Sequence, residues 1–245
     1  MPRELAISPG ERVLDLGCGT GLLAEYVAGL VGPSGSVLGV EPLPLRVTLA
    51  QRRARPNLSF RVGNANDLSE LEAKRFDVVY LNAVLHWLSD KLGPLQQIFR
   101  VLKSGGQLGI SAGGRLGISA LSDDRDSPLR VAALQVFGRP PYNAHALNLA
   151  RVIHRVSKPE LEELLNTAGF RIKLLELRTS VQHHPTPEAA IEFAEASSFG
   201  NFLGHLPGDL RVSAREAIAV ELSQAMTPEG IKRETTRIVA VALKP

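Results

Sequence analysis

The sequence predicts an α/β fold: a three-layer sandwich in which a seven-stranded, mostly parallel sheet lies between helices. Three observations support this prediction. Short apolar runs, typical of strands that are buried on both faces, alternate with helical patterns over residues 11–113. A glycine-rich turn follows the first run, and two more strand-like runs lie in the second half of the chain. Strands separated by helices form βαβ units, which give a parallel sheet.

Seven segments have the composition of strands. The first, ERVLDLG, has an apolar centre formed by Val13, Leu14 and Leu16 and ends in glycine. The predicted strands are residues 11–17, 36–41, 58–63, 76–82, 107–113, 171–181 and 236–243. Apolar residues at helical spacing predict helices at residues 20–31, 43–54, 90–103, 158–170, 187–199 and 208–226. Gly169 is a typical signal for the end of the fourth of these helices.

Two stretches interrupt the alternation, and we predict that they are helical cap insertions within a single domain of residues 1–245. Residues 114–157 show no clear alternation, and residues 183–230 contain helical patterns that follow the sixth strand. Ligands in such sheets bind at the carboxyl ends of the strands. Insertions that leave this edge would form a lid and set the choice of substrate.

The composition is that of a globular protein with an aliphatic core. Hydrophobic residues make up 44% of the chain, charged residues 22% and aromatic residues 5%. The net charge of +3 is spread along the chain, so we expect no DNA-binding face. The only cysteine is Cys18, which excludes an intrachain disulfide and a cysteine-based metal site. The first residues, MPRELAISPGERV, have no apolar core of signal-peptide length, and no apolar stretch approaches the roughly 20 residues that span a bilayer, so we expect a cytoplasmic protein without a membrane partner.

The strongest signal is VLDLGCGTG at residues 13–21, a strand followed by a tight glycine turn and a helix. Gly17 and Gly19 let the backbone approach a ligand where any Cβ atom would collide. The N-terminus of the following helix offers N–H groups that suit a phosphate or a carboxylate. A fingerprint for NAD requires G-x-G-x-x-G, and Leu22 stands at the position of its third glycine. The match to NAD therefore fails by one residue.

Two acidic residues narrow the ligand further. Asp15, two residues before the first glycine, can accept a hydrogen bond from an ammonium group. Glu41 ends the second strand, where an acidic residue can bind both hydroxyls of an unphosphorylated ribose. The turn and these two side chains fit a ligand with a ribose, an ammonium group and a carboxylate. S-adenosylmethionine (SAM) carries all three.

VLDLGCGTG resembles the first motif of class I SAM-dependent methyltransferases, which have a Rossmann-like fold. Glu41 in VLGVEP resembles their ribose-binding acid, and GNANDL resembles their adenine-binding segment, with Asn64 where aspartate is usual. FDVVYLNAVLHWLSD (76–90) and LKSGGQLGIS (102–111) are similar to the fourth and fifth motifs. The resemblance is to the small-molecule group, which includes trans-aconitate methyltransferases and the methyltransferases of biotin and of ubiquinone or menaquinone synthesis.

The resemblance implies a set of residues around the methionine part of SAM. Gly17, Cys18 and Gly19 would surround it, and Cys18 is interpreted as a small packing residue rather than a nucleophile. Asp15 would orient this turn or the ammonium group. Asn82, at the end of the fourth strand, would line the same side with its backbone.

A second set is implied for the adenosine part. Glu41 would take the ribose hydroxyls, with Pro42 and Leu43 against the adenine. Asn64 and Ala65 would meet the adenine edge. The side-chain oxygen of Asn64 can still accept from the adenine amino group, with less charge assistance than an aspartate gives.

His86 is the candidate catalytic residue. Methyl transfer is an in-line displacement at a sulfonium methyl group, so the enzyme mainly holds the acceptor in line and near contact. A general base helps only when the acceptor must lose a proton. His86 follows the fourth strand, near the expected position of the methyl group, and could be a base or a group that positions the acceptor. The alternative is a histidine that packs beside Trp87.

The predicted partner is a small-molecule acceptor. The sequence leaves open whether this acceptor is a carboxylate or an apolar molecule. SSFGNFLGHLP (197–207) could line an apolar pocket. Arginine pairs with carboxylates in bidentate fashion, and the first insertion carries Arg115, Arg125, Arg130, Arg139, Arg151 and Arg155. The spacing of the remaining histidines fits no ligand pattern, so we predict no metal.

Other functions remain as alternatives. An RNA or protein methyltransferase would need a basic groove near the strand ends. We predict that Arg52, Arg53 and Arg55 form a solvated helix face, with an RNA contact as the alternative. A non-catalytic SAM-binding module would keep the same cofactor residues. The sequence argues against two related classes. Amino-group methyltransferases of DNA carry (Asp/Asn)-Pro-Pro-Tyr after the fourth strand, where this chain has NAVL. Arsenite methyltransferases need several cysteines, and this chain has one.

One departure from the family concerns the start of the chain. Family members usually have one or two helices before the first strand, whereas this chain reaches Val13 almost at once. Either the chain is shortened, or the insertions cover the cofactor by themselves.

Overall fold

The computed structural model describes residues 4–115, 127–145, 154–197 and 202–245. Their strands are β1 (Arg12–Leu16), β2 (Ser36–Glu41), β3 (Leu58–Val62), β4 (Phe76–Asn82), β5 (Leu102–Arg115), β6 (Val156–Ser157), β7 (Arg171–His184) and β8 (Ile231–Leu243). Seven of them form one sheet in the order β3-β2-β1-β4-β5-β8-β7, and β6 pairs with β5 outside this path. Neighbours from β3 to β5 are parallel, and β8 is antiparallel to β5. The predicted seven-stranded, mostly parallel sheet is confirmed.

Helices lie between many of the strands along the chain. The α-helices are α1 (Leu22–Val31), α2 (Pro44–Gln51), α3 (Leu92–Val101), α4 (Pro128–Phe137), α5 (Lys158–Thr167), α6 (Pro187–Ser197) and α7 (Gly208–Ser223). Short 3-10 helices lie at Leu85–Trp87 and Tyr142–His145. Among the described helices, none is long and apolar enough to cross a membrane.

Two buried clusters on opposite faces of the sheet give the three layers. Side chains alternate along the strands, so that Val13 and Val78 pack with α1 and α2, whereas Leu14 and Val79 pack with α3 and α5. Burial of one such aliphatic side chain contributes about 1.5–3 kcal/mol. Helices held on both faces therefore keep the carboxyl ends of β1, β2 and β4 side by side.

The fifth strand begins earlier than the sequence predicts. Leu102 pairs with Phe76, but the regular ladder between β4 and β5 begins only where Val78 lies opposite Gln107. The residues between form an irregularity that includes Gly105, whose φ of 78° lies in the left-handed region. Only the regular part of β5 has the pattern of a strand, which is why the prediction begins at residue 107.

The sequence misses α4 and β6. The buried side of α4 is formed by Ala132, Ala133 and Val136. Alanine gives little contrast between an apolar and a polar face, so the helical period is weak in this segment. β6 has only two residues and cannot show any period.

The described residues form two compact units. The first contains residues 4–115, 154–178 and 237–245, and the second contains residues 127–145, 179–197 and 202–236. The second unit has its own core, which α4, α6 and α7 build around small and aliphatic side chains. It contains most of the two predicted insertions. Their interpretation as caps within a single domain stays a prediction.

Candidate active site

The glycine turn between β1 and α1 leaves no room for a side chain at Gly17. Gly17 has a φ of 75°, and a Cβ atom placed on it would lie 2.3 Å from Cγ2 of Val84. Its N–H donates to the carbonyl oxygen of Val40 at 2.7 Å, which fixes the turn against β2. Gly19 also has a positive φ, of 57°. Both conformations favour glycine.

Glu41 joins this turn to the end of β2. Its side chain is 1% exposed, Oε2 accepts from the N–H of Gly19 at 3.1 Å, and Oε1 accepts from the N–H of Leu43 at 3.3 Å. A carboxylate has about four acceptor positions, so each oxygen can take a further hydrogen bond. The predicted ribose acid and the glycine turn therefore form one hydrogen-bonded site.

Asp15 lies on the same side of the sheet and is also buried, at 2% exposed. The hydroxyl of Tyr80 donates to Oδ2 of Asp15 at 2.8 Å. Burial raises the pKa of Asp15 to about 7, the hydrogen bond from Tyr80 lowers it, and the charge of Glu41 raises it. Asp15 shares the wall of a cavity of about 190 Å³ with Gly17, Cys18 and Asn82.

Cys18 is a packing residue in this structure. It is 8% exposed, and its Sγ would lie 2.8 Å from a Cβ atom placed on Gly39. Burial and the nearby carboxylates raise the pKa of the thiol well above its usual value. A buried thiol that stays protonated is a poor nucleophile.

The adenosine side of the predicted site is more open. Leu43 is 40% exposed, whereas Ala65 is 7% exposed. Asn64 and Ala65 follow β3, and the N–H of Gly63 donates to the carbonyl oxygen of Glu41 at 3.2 Å, which holds this segment beside β2. Oδ1 of Asn64 accepts from the N–H of Asn66 at 2.8 Å. The oxygen predicted to meet adenine therefore also closes a local turn.

Arg46 is a neighbour of the turn that the sequence analysis misses. It lies in the first turn of α2, and its NH1 atom is 3.9 Å from the position of a Cβ atom on Gly19. The only signal for it in the sequence is its place five residues after Glu41.

The end of β4 makes a tight turn toward the candidate catalytic residue. Ala83 has a φ of 61°, which is uncommon for a residue with a side chain, and its N–H donates to the carbonyl oxygen of Ser111 at 2.6 Å. Backbone strain of this kind is concentrated at functional sites. The turn places Asn82 at the cavity beside Asp15 and leads directly into the 3-10 helix of His86.

His86 is partly buried, and its ring lies 5.0 Å from the ring of Trp87. Its carbonyl oxygen accepts from the N–H of His154 at 2.7 Å. Burial, and to a smaller extent the charges of Arg155, Arg237 and Lys91, lowers the pKa of His86 to about 4. The imidazole is therefore neutral at pH 7, with cationic side chains near it.

A larger cavity, of about 540 Å³, includes Lys91 and Arg155 in its wall. Asp90, Glu160 and Glu163 line it as well. Asp90 accepts from the N–H of Leu92 at 3.0 Å, and Glu160 accepts from the N–H of Ser157 at 2.7 Å. Two of the three carboxylates thus bind the backbone at the start of a helix.

The other basic residues have varied positions. Arg139 pairs with Glu221 at 2.6 Å. Arg53 pairs with Glu25 of α1 at 2.6 Å, and Arg55 donates to the carbonyl oxygen of Glu25 at 2.9 Å. Arg125 and Arg151 lie outside the described residues, as do residues 198–201 of the predicted apolar segment. The described side chains include no group of three or more His, Cys, Asp or Glu residues that could hold a metal ion.

Known proteins are similar to this chain over the part that contains the glycine turn and Glu41. A family model described as a methyltransferase domain matches residues 7–134, which is more than half of the 245 residues. An arsenite methyltransferase of Aquipseudomonas alcaligenes is 40% identical over 116 residues, which cover 43% of this chain and 34% of that protein. The chain spans about a third of the length of the arsenite methyltransferases that it matches.

Two further proteins match nearly the whole chain. The trans-aconitate 2-methyltransferase of Methylobacterium nodulans is 26% identical over 220 residues, which cover 89% of this chain and 80% of that protein. The structure of a SAM-dependent methyltransferase from Methanosarcina mazei has a TM-score of 0.60 and 19% identity, and the match covers 100% of this chain and 97% of that one. The structural similarity concerns the fold alone.

Proposed function

Because the chain belongs to the class I SAM-dependent methyltransferases, we propose that it methylates a carboxylate oxygen of a small, anionic acceptor. The observation that carries this proposal is the surroundings of His86. Among the described residues, the charged side chains that shift the pKa of this imidazole are Arg155, Arg237 and Lys91. Positive charge around a site attracts and orients an anionic substrate.

The residues of the glycine turn fit the cofactor. SAM supplies a methyl group on a positively charged sulfur, which is a strong leaving group. Glu41 has acceptor positions left for two ribose hydroxyls, and Asp15 offers a carboxyl group in the adjacent cavity. We assign the methionine part to Asp15, Gly17, Cys18, Gly19 and Asn82, and the adenosine part to Glu41, Pro42, Leu43, Asn64 and Ala65.

The protonation of His86 favours a carboxylate acceptor over a phenol. With a pKa of about 4, His86 is neutral at pH 7 and is a weak base. A phenol, with a pKa of about 10, must lose its proton during the transfer, whereas a carboxylate is already ionised. In this proposal His86 positions the acceptor by donating its ring N–H, and no general base is needed.

A relative that matches most of the chain supports the same acceptor class. Trans-aconitate, which appears in the name of the Methylobacterium nodulans enzyme, is a polycarboxylate. That match extends over 220 residues, so it includes both units and not only the cofactor half. We therefore propose a polycarboxylate as the first acceptor to test.

We expect Arg155→Gln to raise the KM for a polycarboxylate about 10- to 100-fold, with a smaller change in kcat. Losing one charge-assisted hydrogen bond costs about 1.5–3 kcal/mol, which corresponds to that range. Steady-state kinetics with trans-aconitate would give both constants. Calorimetric titration with S-adenosylhomocysteine should show unchanged cofactor affinity.

Arg52→Gln is the matched control, because Arg52 is an exposed arginine at the end of α2. It should leave the KM of the acceptor unchanged. The proposal fails if both variants behave alike, or if an uncharged phenol is methylated at a lower KM than any carboxylate.

A further inference from the structure

Tyr80 is a buried phenol with an unusual partner. It lies in the middle of β4, is 0% exposed, and packs in the apolar cluster between the sheet and α1 and α2. A buried tyrosine hydroxyl needs a hydrogen-bond partner. On the adjacent strand, Asp15 lies opposite Tyr80 in register, and Oδ2 of Asp15 accepts the hydrogen bond at 2.8 Å. Burial raises the pKa of Tyr80 well above its usual value, so the phenol remains a donor.

The surroundings of Asp15 disfavour a negative charge. Three titratable groups face it: Tyr80 on β4, Glu41 on β2 and Cys18 in the turn. α1 contributes only Leu22 and Leu23 to the cavity wall. Within the described part of the chain, no cationic side chain pairs with Asp15, and Oδ1 accepts no hydrogen bond. A buried carboxyl group without a cation holds its proton more tightly than an exposed one.

We propose that Tyr80 is a positioning residue for the cofactor: it holds Oδ2 of Asp15, so that Oδ1 can bind the ammonium group of SAM. On binding, the O–H bond of the Asp15 carboxyl group breaks, the proton passes to the solvent, and the ammonium group takes its place as the partner of the carboxylate. The inference rests on the cofactor of the family and not on the acceptor class, so either proposal can fail without the other.

The inference gives cofactor binding a defined pH dependence. The pKa of Asp15 is about 7 in the free protein, and an ammonium partner lowers it. Below pH 7 binding must therefore release a proton, and affinity should fall about tenfold for each pH unit. Above pH 7 Asp15 is already ionised, and the affinity should level off. Tyr80→Phe removes a hydrogen bond that stabilises the ionised form of Asp15. The pH at which the affinity levels off should therefore rise.

Calorimetric titration with S-adenosylhomocysteine from pH 5.5 to 8 tests this pH dependence. Each titration is repeated in two buffers that differ in ionisation enthalpy, because the difference in heat gives the number of protons released. The wild type should release about one proton per ligand near pH 6 and about none at pH 8. Tyr80→Phe should bind about tenfold more weakly at pH 6.5 and should still release protons at pH 8. Asp15→Asn should release none at any pH.

Two controls separate this role from a structural one. Tyr26→Phe removes the same hydroxyl from an exposed tyrosine of α1, 56% exposed, and should match the wild type throughout. 5′-Methylthioadenosine, which lacks the ammonium group, should bind the wild type without proton release. The thermal unfolding of Tyr80→Phe would be recorded beside these titrations.

The wild-type proton count can overturn the inference even if Tyr80→Phe does not fold. No proton release at pH 6 would overturn it, as would a Tyr80→Phe profile equal to that of Tyr26→Phe. Absence of any binding of S-adenosylhomocysteine to the wild type would overturn the assignment of the whole cofactor site.

Discussion

Replacing Glu41 with glutamine should weaken the binding of SAM by about 100-fold or more. Both carboxylate oxygens accept backbone N–H groups, from Gly19 and from Leu43. Glutamine turns one of these acceptors into a donor that faces an N–H group, and it removes the charge that would bind two ribose hydroxyls. Each charge-assisted hydrogen bond contributes about 1.5–3 kcal/mol, so the loss of two accounts for the expected change.

Calorimetric titration of SAM into the wild type and Glu41→Gln measures this effect. Glu70→Gln is the matched control, because the Glu70 side chain is 82% exposed and pairs with Arg61 at 3.2 Å. It should bind SAM like the wild type. An affinity of Glu41→Gln within about threefold of the wild type would contradict the assignment of the ribose site.

Gly17→Ala should abolish measurable SAM binding and lower the free energy of unfolding by about 2–4 kcal/mol. The new Cβ atom would lie 2.3 Å from Cγ2 of Val84, and the backbone would keep a φ of 75°. Either the Val84 side chain or the turn must move, and the turn carries the N–H group that reaches Glu41. Denaturant unfolding and SAM titration give the two quantities.

Gly29→Ala is the control for a glycine without such constraints. Gly29 lies inside α1, and no atom lies within 4 Å of a Cβ atom placed on it, so alanine should stabilise the protein by about 0.5–1 kcal/mol. Adding Val84→Ala to Gly17→Ala should recover the part of the loss that is due to the collision. Wild-type stability and SAM affinity in Gly17→Ala alone would show that the turn is not constrained as described.

The parts of this fold that could be predicted have a local signal. β2 and β4 begin and end where apolar runs begin and end, because both strands are buried on both faces. Gly17 and Glu41 could be named because the turn needs a residue without Cβ and because an acid at a strand end is rare. Each of these signals is contained within a few residues of sequence.

The rest depends on contacts between distant residues. Tyr80 meets Asp15 only because β4 pairs with β1 in one register, and the two are 65 residues apart. Arg155 acts on His86 because the segment before β6 bonds to the carbonyl oxygen of His86. A single sequence shows neither the register nor this bond. The sequence analysis could therefore name Arg155 only as one arginine among six.

The central claim is that this chain transfers the methyl group of SAM to a small carboxylate, and the most direct measurement follows that methyl group. The protein would be incubated with methyl-labelled SAM and a mixture of trans-aconitate, an uncharged phenol, a short RNA and an unrelated protein. We expect label on the polycarboxylate, in a product that is heavier by one methylene unit and releases methanol in base. Label on the RNA or on the protein, or no transfer from a preparation that binds SAM, would contradict this claim.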